Sequence, residues 1–199
     1  MNVEEWMLAA ASSPWIYAAV LGLVIADAFL VVVPSETVVV ALGALAFSQG
    51  TPNVWVLLPV AAVGAVVGDN ICYYLGHRLG TDRFRWMRRP RIVAMITHAR
   101  RALETRPATL ILTARYIPYA RIAANLTAGA IGFSHRRFFP LTVVAGCLWA
   151  CYNVVVGAAF GVWLSDNPVL AVIISIVVAI GVGVLVDWLA TRVAARRSP

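Results

Sequence analysis

Two apolar stretches of this chain are broken by proline and charge. One reads Val31-Val32-Val33-Pro34-Ser35-Glu36-Thr37-Val38-Val39-Val40; the other reads Ala114-Arg115-Tyr116-Ile117-Pro118-Tyr119-Ala120-Arg121-Ile122-Ala123. Each unpaired backbone group in hydrocarbon costs several kcal/mol, so a broken helix survives in a bilayer only where protein or water surrounds the break. A carboxylate at one break and two guanidinium groups at the other point to a polar site at membrane depth. Ionisable residues there are functional candidates by default.

Composition supports a membrane setting. Of 199 residues, 61% are hydrophobic and only 13% charged, which excludes a soluble domain and indicates several spans in one domain. All sixteen basic residues are arginine, and the net charge is +7. These charges lie between apolar segments, so orientation and anionic headgroups explain them better than nucleic acid does. The N-terminus is acidic (Glu4, Glu5), and no cleavable signal peptide is expected. Cys72, Cys147 and Cys151 sit in apolar segments without a neighbouring His or acid set, so free thiols are expected, with no metal site and no cofactor.

The spacing predicts an all-α integral membrane protein. Residues 15–48 fit a first re-entrant helical hairpin, with Pro34 near its tip. Residues 54–76 form a full span. Residues 77–106 form a basic cytoplasmic loop with nine arginines. Within it, Ile92, Ile96, Ala99 and Leu103 recur at helical spacing opposite Arg100, Arg101 and Glu104, as in a helix lying on the membrane surface. Residues 107–133 fit a second hairpin, and 138–164 and 169–190 fit two further spans. A full span needs about 20 apolar residues, and neither arm around Pro118 reaches that. If 107–133 enters and leaves on one side, then Arg136, Arg137 and the tail arginines share the cytoplasmic side with the loop, as the positive-inside rule requires. Two hairpins from opposite faces, each followed by a span, make an inverted pseudo-repeat, the device by which transporters build midplane sites.

The candidate residues follow. Glu36, set among valines, is expected to be buried and suited to proton coupling or charge pairing. A role limited to stabilising a helix N-terminus is the plainer alternative. Asp27 lies in an otherwise apolar arm, where insertion costs about 2.5–3.5 kcal/mol. Arg115 and Arg121 flank Pro118, and their planar forks suit phosphate or carboxylate. Two acids in the first hairpin and two arginines in the second suggest compensation across the hairpins, whether functional or only structural. Asp69 and Tyr73 share a helix face in Gly68-Asp69-Asn70-Ile71-Cys72-Tyr73-Tyr74-Leu75-Gly76-His77-Arg78-Leu79-Gly80. No Walker loop, His-Glu-x-x-His or Gly-x-Ser-x-Gly is present, so transport rather than catalysis is expected.

Three stretches, taken together, resemble the DedA family of VTT-domain membrane proteins. They are Asp27 through Pro34-Ser35-Glu36 to Ala46; Gly68-Asp69 through Tyr73, Gly76 and Arg78 to Gly80; and Arg115-Tyr116-Ile117-Pro118 through Arg121 to Gly129. The resemblance implies two opposed re-entrant hairpins in a bacterial inner membrane, with a cytoplasmic C-terminus. It also implies lipid movement between leaflets, notably of undecaprenyl phosphate or a related polyprenyl phosphate. The substrate expected is a polyprenyl phosphate (undecaprenyl or decaprenyl phosphate) or a phospholipid, and the acids Asp27 and Glu36 suggest protons as a coupling partner. The family's acidic pair would be Asp27 and Glu36, and its arginine pair Arg115 and Arg121. Pro34, Ser35, Asp69, Tyr73, Arg78 and Pro118 would support them. Asp27 stands where Glu is usual, Tyr119 where Gly is common, and His77 where a basic residue is usual. A proton-coupled small-molecule or ion exporter and an assembly protein whose charges merely pair are the rival functions. A homo-oligomer is compatible with the chain.

Overall fold

The structure, a computed structural model, describes residues 9–29, 35–81, 90–163 and 177. The expected hairpin tip at Pro34, the span over 169–190 and the tail arginines lie outside the described residues. Among the described residues all regular structure is helical: α1 (Trp15–Asp27), α2 (Ser35–Gln49), α3 (Val54–Leu79), α4 (Pro90–Thr105), α5 (Pro107–Ala114), α6 (Pro118–Ala130) and α7 (His135–Trp163).

Local chemistry sets the boundaries. Asn53 caps α3, its side chain accepting from the Trp55 amide at 2.9 Å, and Gly80 ends the helix at φ +65°. At the second break, Pro118 is the first residue of α6 and Ile117 before it is extended (φ −121°, ψ 108°). A proline disfavours helical geometry in the residue ahead of it, so α5 has to stop short. Residues 115–117 are left as the joint.

Among the described residues two helices are long and apolar enough to cross a membrane, Val54–Leu79 and His135–Ala159. Their surfaces are inverted relative to a soluble protein. On α3 the small or polar residues Ala61, Ala65, Gly68, Asp69, Cys72 and Gly76 are buried, while Val63, Val67, Ile71 and Leu75 face outward. On α7, Val144, Leu148 and Val155 do likewise. Large apolar stripes outside and small residues at the contacts are what lipid, not water, favours. α1, α2, α5 and α6 have 13, 15, 8 and 13 residues. At about 1.5 Å per residue each falls short of the roughly 30 Å hydrocarbon core.

Contact register gives the helix directions. Asp69 meets Asn125 and Tyr73 meets Gly129, so α3 and α6 advance together. Glu36 meets Trp149, Val40 meets Gly157 and Ala44 meets Gly161, so α2 and α7 do the same. α1 follows α3, from Tyr17 beside Asn53 to Ala28 beside Cys72. α3 and α7 run oppositely: Val66 meets Gly146, and Asn70 meets Thr142.

The packing is crossed. α1 rests on the α3 that follows it, but α2 packs mainly on α7, and α6 mainly on α3. Glycine makes both crossings. A Cβ on Gly76 would strike the Leu126 carbonyl, and one on Gly129 the Tyr73 carbonyl. The α2–α7 crossing repeats the arrangement, with Gly157 against the Val40 carbonyl and Gly43 against that of Val154. In both pairs each glycine faces the carbonyl three residues before its partner glycine.

α4 carries the amphipathic pattern of the basic loop. Leu103 is buried with Tyr73, Ile111, Ala128 and Phe138, while Arg100, Arg101 and Glu104 are exposed.

Candidate functional site

The site is assembled from three segments. α1 ends at Asp27, the middle of α3 supplies Asp69, and the 115–117 joint with the first turn of α6 supplies Arg115 and Arg121. Arg115 donates through Nη1 to Asp69 Oδ2 in a close ion pair. Asn125, one turn beyond Arg121, donates to the other Asp69 oxygen at 2.9 Å. Arg121 Nη2 lies 3.1 Å from Asp27 Oδ2 and 2.7 Å from the Asp27 carbonyl oxygen. All four charged residues are buried. Two acids and two arginines therefore sum to zero inside the helix bundle. Neutrality is the condition under which such a cluster survives there.

The hydrogen bonding of the arginines is incomplete. Among the described residues, Arg115 Nε and Nη2 and Arg121 Nε are buried without a hydrogen-bond partner. The Arg115 guanidinium also lies over the Trp149 ring, 5.3 Å from its centroid, a cation–π contact. The Trp149 indole donates to Glu36 Oε1 at 3.2 Å.

This geometry corrects the expected pairing. Among the described residues, Asp69 rather than Glu36 is the second acid bound to an arginine. Glu36 is exposed in the first turn of α2 and takes the indole N–H instead. Val39 and Val40, three and four residues on and so on the same helix face, are buried. Glu36 is exposed because it stands in the first turn, at the end of that packed face. Ser35 is fully buried, its Oγ without a partner among the described residues. Tyr73 is buried in α3, its hydroxyl donating to the Phe133 carbonyl where the chain leaves α6. Arg78 is exposed, as is Tyr119, at 75% exposure, so Tyr119 does not close over the arginines. Pro118 contributes the backbone break already described.

The VTT-domain model matches residues 33–159, more than half of the chain. The chain belongs to the VTT-domain family. Within this family it is similar to Protein DedA of Escherichia coli K12, 28% identical over 98% of this chain and 93% of that one. It also resembles an uncharacterized membrane protein of Mycobacterium leprae, 32% identical over 64% of this chain. That alignment covers 58% of the M. leprae protein's own length, so the chain spans little more than half of it. A Mycobacterium tuberculosis membrane protein is 29% identical over 63% of this chain. No solved structure matches. The VTT-domain match runs from just before α2 to residue 159 within α7, and it contains three of the four buried charges. This is a membrane protein of that family.

Two residues of the VTT-domain site were not singled out in the sequence. Asn125 carried a usable signal, because it stands four residues after Arg121 and so shares its helix face. Trp149 carried none, being one aromatic residue in a long apolar span.

The Asp69 pairing predicts an asymmetric response. Asp69→Leu leaves the buried Arg115 charge uncompensated and should cost about 3–5 kcal/mol. Asp69→Asn keeps an acceptor and should cost less. Thermal unfolding in detergent, followed for both variants, checks the order, and equal losses would contradict the pairing.

Proposed function

We propose that this protein moves a lipid phosphate between membrane leaflets, with Arg115 and Arg121 holding the headgroup. The observation that carries the reading is the open edge of Arg115. Nη1 is held by Asp69, while Nε and Nη2 are buried and unmet among the described residues. A buried unmet donor costs about 1–3 kcal/mol, and more when charged. Nε and Nη2 together form one side of the guanidinium fork, which matches two oxygens of a phosphate. Arg121 Nε adds a third donor. A lipid tail would rest on the outward apolar faces of α3 and α7. The substrate class in this reading is a polyprenyl phosphate, undecaprenyl or decaprenyl phosphate, or else a phospholipid.

Several features support the membrane placement that this function needs. The short paired helices α1–α2 and α5–α6 suit re-entrant hairpins entering from opposite faces. The contact directions and the twin glycine crossings suit an inverted pseudo-repeat. Trp15 and Trp55, 79% and 83% exposed at the starts of α1 and α3, suit one interfacial belt. His77 and Arg78 end α3 beside the start of α7, where Arg136 and Arg137 lie, and this end would face the cytoplasm of a bacterial inner membrane. The C-terminus would lie on the same side.

The two acids give a route to proton coupling. Ionised, Asp27 and Asp69 neutralise the arginines in the empty site. Protonated, they release guanidinium charge to the phosphate. Glu36, exposed in the first turn of α2, would exchange protons with the surroundings. A proton-coupled exporter of a small solute would use the same acids, but it leaves the open fork of Arg115 without a purpose.

The test is leaflet accessibility of a labelled polyprenyl phosphate in liposomes. Wild type should speed its exchange. Arg121→Ala removes one partner of a buried pair, a loss of about 2 kcal/mol or more, and should slow exchange about 30-fold. Equal rates for the two proteins would overturn the proposal.

A further inference from the structure

Trp149 is one of the largest fully buried side chains, at 2% exposure, and lies on α7 between groups from both broken segments. Its indole N–H holds Glu36, at the start of α2. Its ring carries the Arg115 guanidinium, at the joint between α5 and α6. The indole plate thus engages a carboxylate through its N–H edge and a cation over its ring. Among the described residues the Nε and Nη2 edge of Arg115 is unpaired, although Glu36 contacts the same indole.

Resting on the lipid-phosphate reading above, we propose that Trp149 is a positioning residue that keeps Glu36 off the Arg115 fork and so keeps the fork open for the headgroup. Two physical points carry this. Arg115 is buried, where opposite charges attract more strongly than in water, so Glu36 will pair with it once it can reach it. The indole satisfies both without joining them: its N–H engages the carboxylate and its π-face the guanidinium. Asp69 already occupies Nη1, so a second carboxylate on Arg115 would take the edge that phosphate needs.

The proposal makes Trp149 and Glu36 interdependent. With the plate removed, Glu36 swings onto Arg115 and competes with phosphate. With Glu36 also neutralised, the competitor is gone and the fork reopens. A residue needed only for packing would not behave so, because neutralising Glu36 refills no cavity.

The experiment measures retention of farnesyl phosphate by the purified full chain in detergent, with dioleoyl phosphatidic acid and inorganic phosphate in parallel arms. Trp149→Leu is expected to weaken farnesyl phosphate binding about tenfold or more, and the double variant Trp149→Leu/Glu36→Gln to recover to within about threefold of wild type. Trp149→Phe keeps the plate but loses the N–H that holds Glu36, so it should bind more weakly than wild type and more tightly than Trp149→Leu, and recovery in the double variant shows that the leucine chain folds. Comparable binding of phosphatidic acid would mark a general lipid phosphate site, and binding of inorganic phosphate would mark one blind to the tail. If wild type binds none of the three probes, the lipid-phosphate reading fails. The spacer is then judged by melting temperature alone: Glu36→Gln and Arg115→Gln should be non-additive in the Trp149→Leu background and additive in wild type, and additivity in both overturns it. If wild type binds but Glu36→Gln does not rescue Trp149→Leu, or Trp149→Phe binds as poorly as Trp149→Leu, the spacer is overturned while the lipid-phosphate reading stands.

Discussion

Replacing Arg115 with lysine should nearly abolish lipid-phosphate binding while leaving the protein folded. Lysine keeps a positive charge opposite Asp69, so the buried cluster stays neutral. It lacks the planar edge that Nε and Nη2 present, and an ammonium cannot reproduce bidentate contact with two phosphate oxygens. Loss of such a buried charged contact is expected to cost about 2–5 kcal/mol, or roughly 30-fold to several-thousand-fold in affinity. Arg115→Ala should behave differently, leaving Asp69 buried without its cation at a stability cost of about 3–5 kcal/mol. Probe retention and melting temperature, measured together, separate the two effects. A lysine variant that binds like wild type would show that the fork is not what holds the headgroup.

Gly129→Val should yield almost no folded protein. The α3–α6 crossing brings backbone against backbone, and a Cβ at position 129 would meet the Tyr73 carbonyl and come within 2.7 Å of the His77 amide nitrogen. Overpacking usually costs about 1–3 kcal/mol because side chains can shift. Here the obstacle is main chain within two helices, so the cost should lie at or above the top of that range. Gly22→Ala is the control, since nothing lies within 4 Å of a Cβ there. Size-exclusion profiles should show a single folded peak for the control and aggregate for Gly129→Val. The crossing also holds Asn125 against Asp69, so its loss would scatter the charged site as well.

Much of this was legible in the chain because the bilayer is a demanding solvent. Apolar run lengths located α3 and α7 to within about three residues at either end, and Pro118 located the joint before α6. Arg115 and Arg121 were marked by being charges in apolar surroundings. The partners were harder to read. Asp27 and Glu36 shared a hairpin, and nothing in the sequence says that Glu36 stays exposed at the start of α2 while α3 buries Asp69. Helix rotation is set by the glycine crossings, and glycine spacings such as Gly64/Gly68 are too common in apolar helices to name their partner. Asp69 was visible as an acid on the Tyr73 face but not as the counter-ion of Arg115, because that contact joins residues 46 apart. Trp149 became informative only when its two neighbours proved to come from segments 79 residues apart in sequence.

The crossed packing bears on how the protein is made. Gly43 leaves the ribosome 114 residues ahead of Gly157, the backbone it will lie against. Until α7 is synthesised, the tight face of α2 must wait in lipid or be sheltered by the insertion machinery. Nascent chains arrested before residue 157 should therefore be the stage most exposed to membrane proteases.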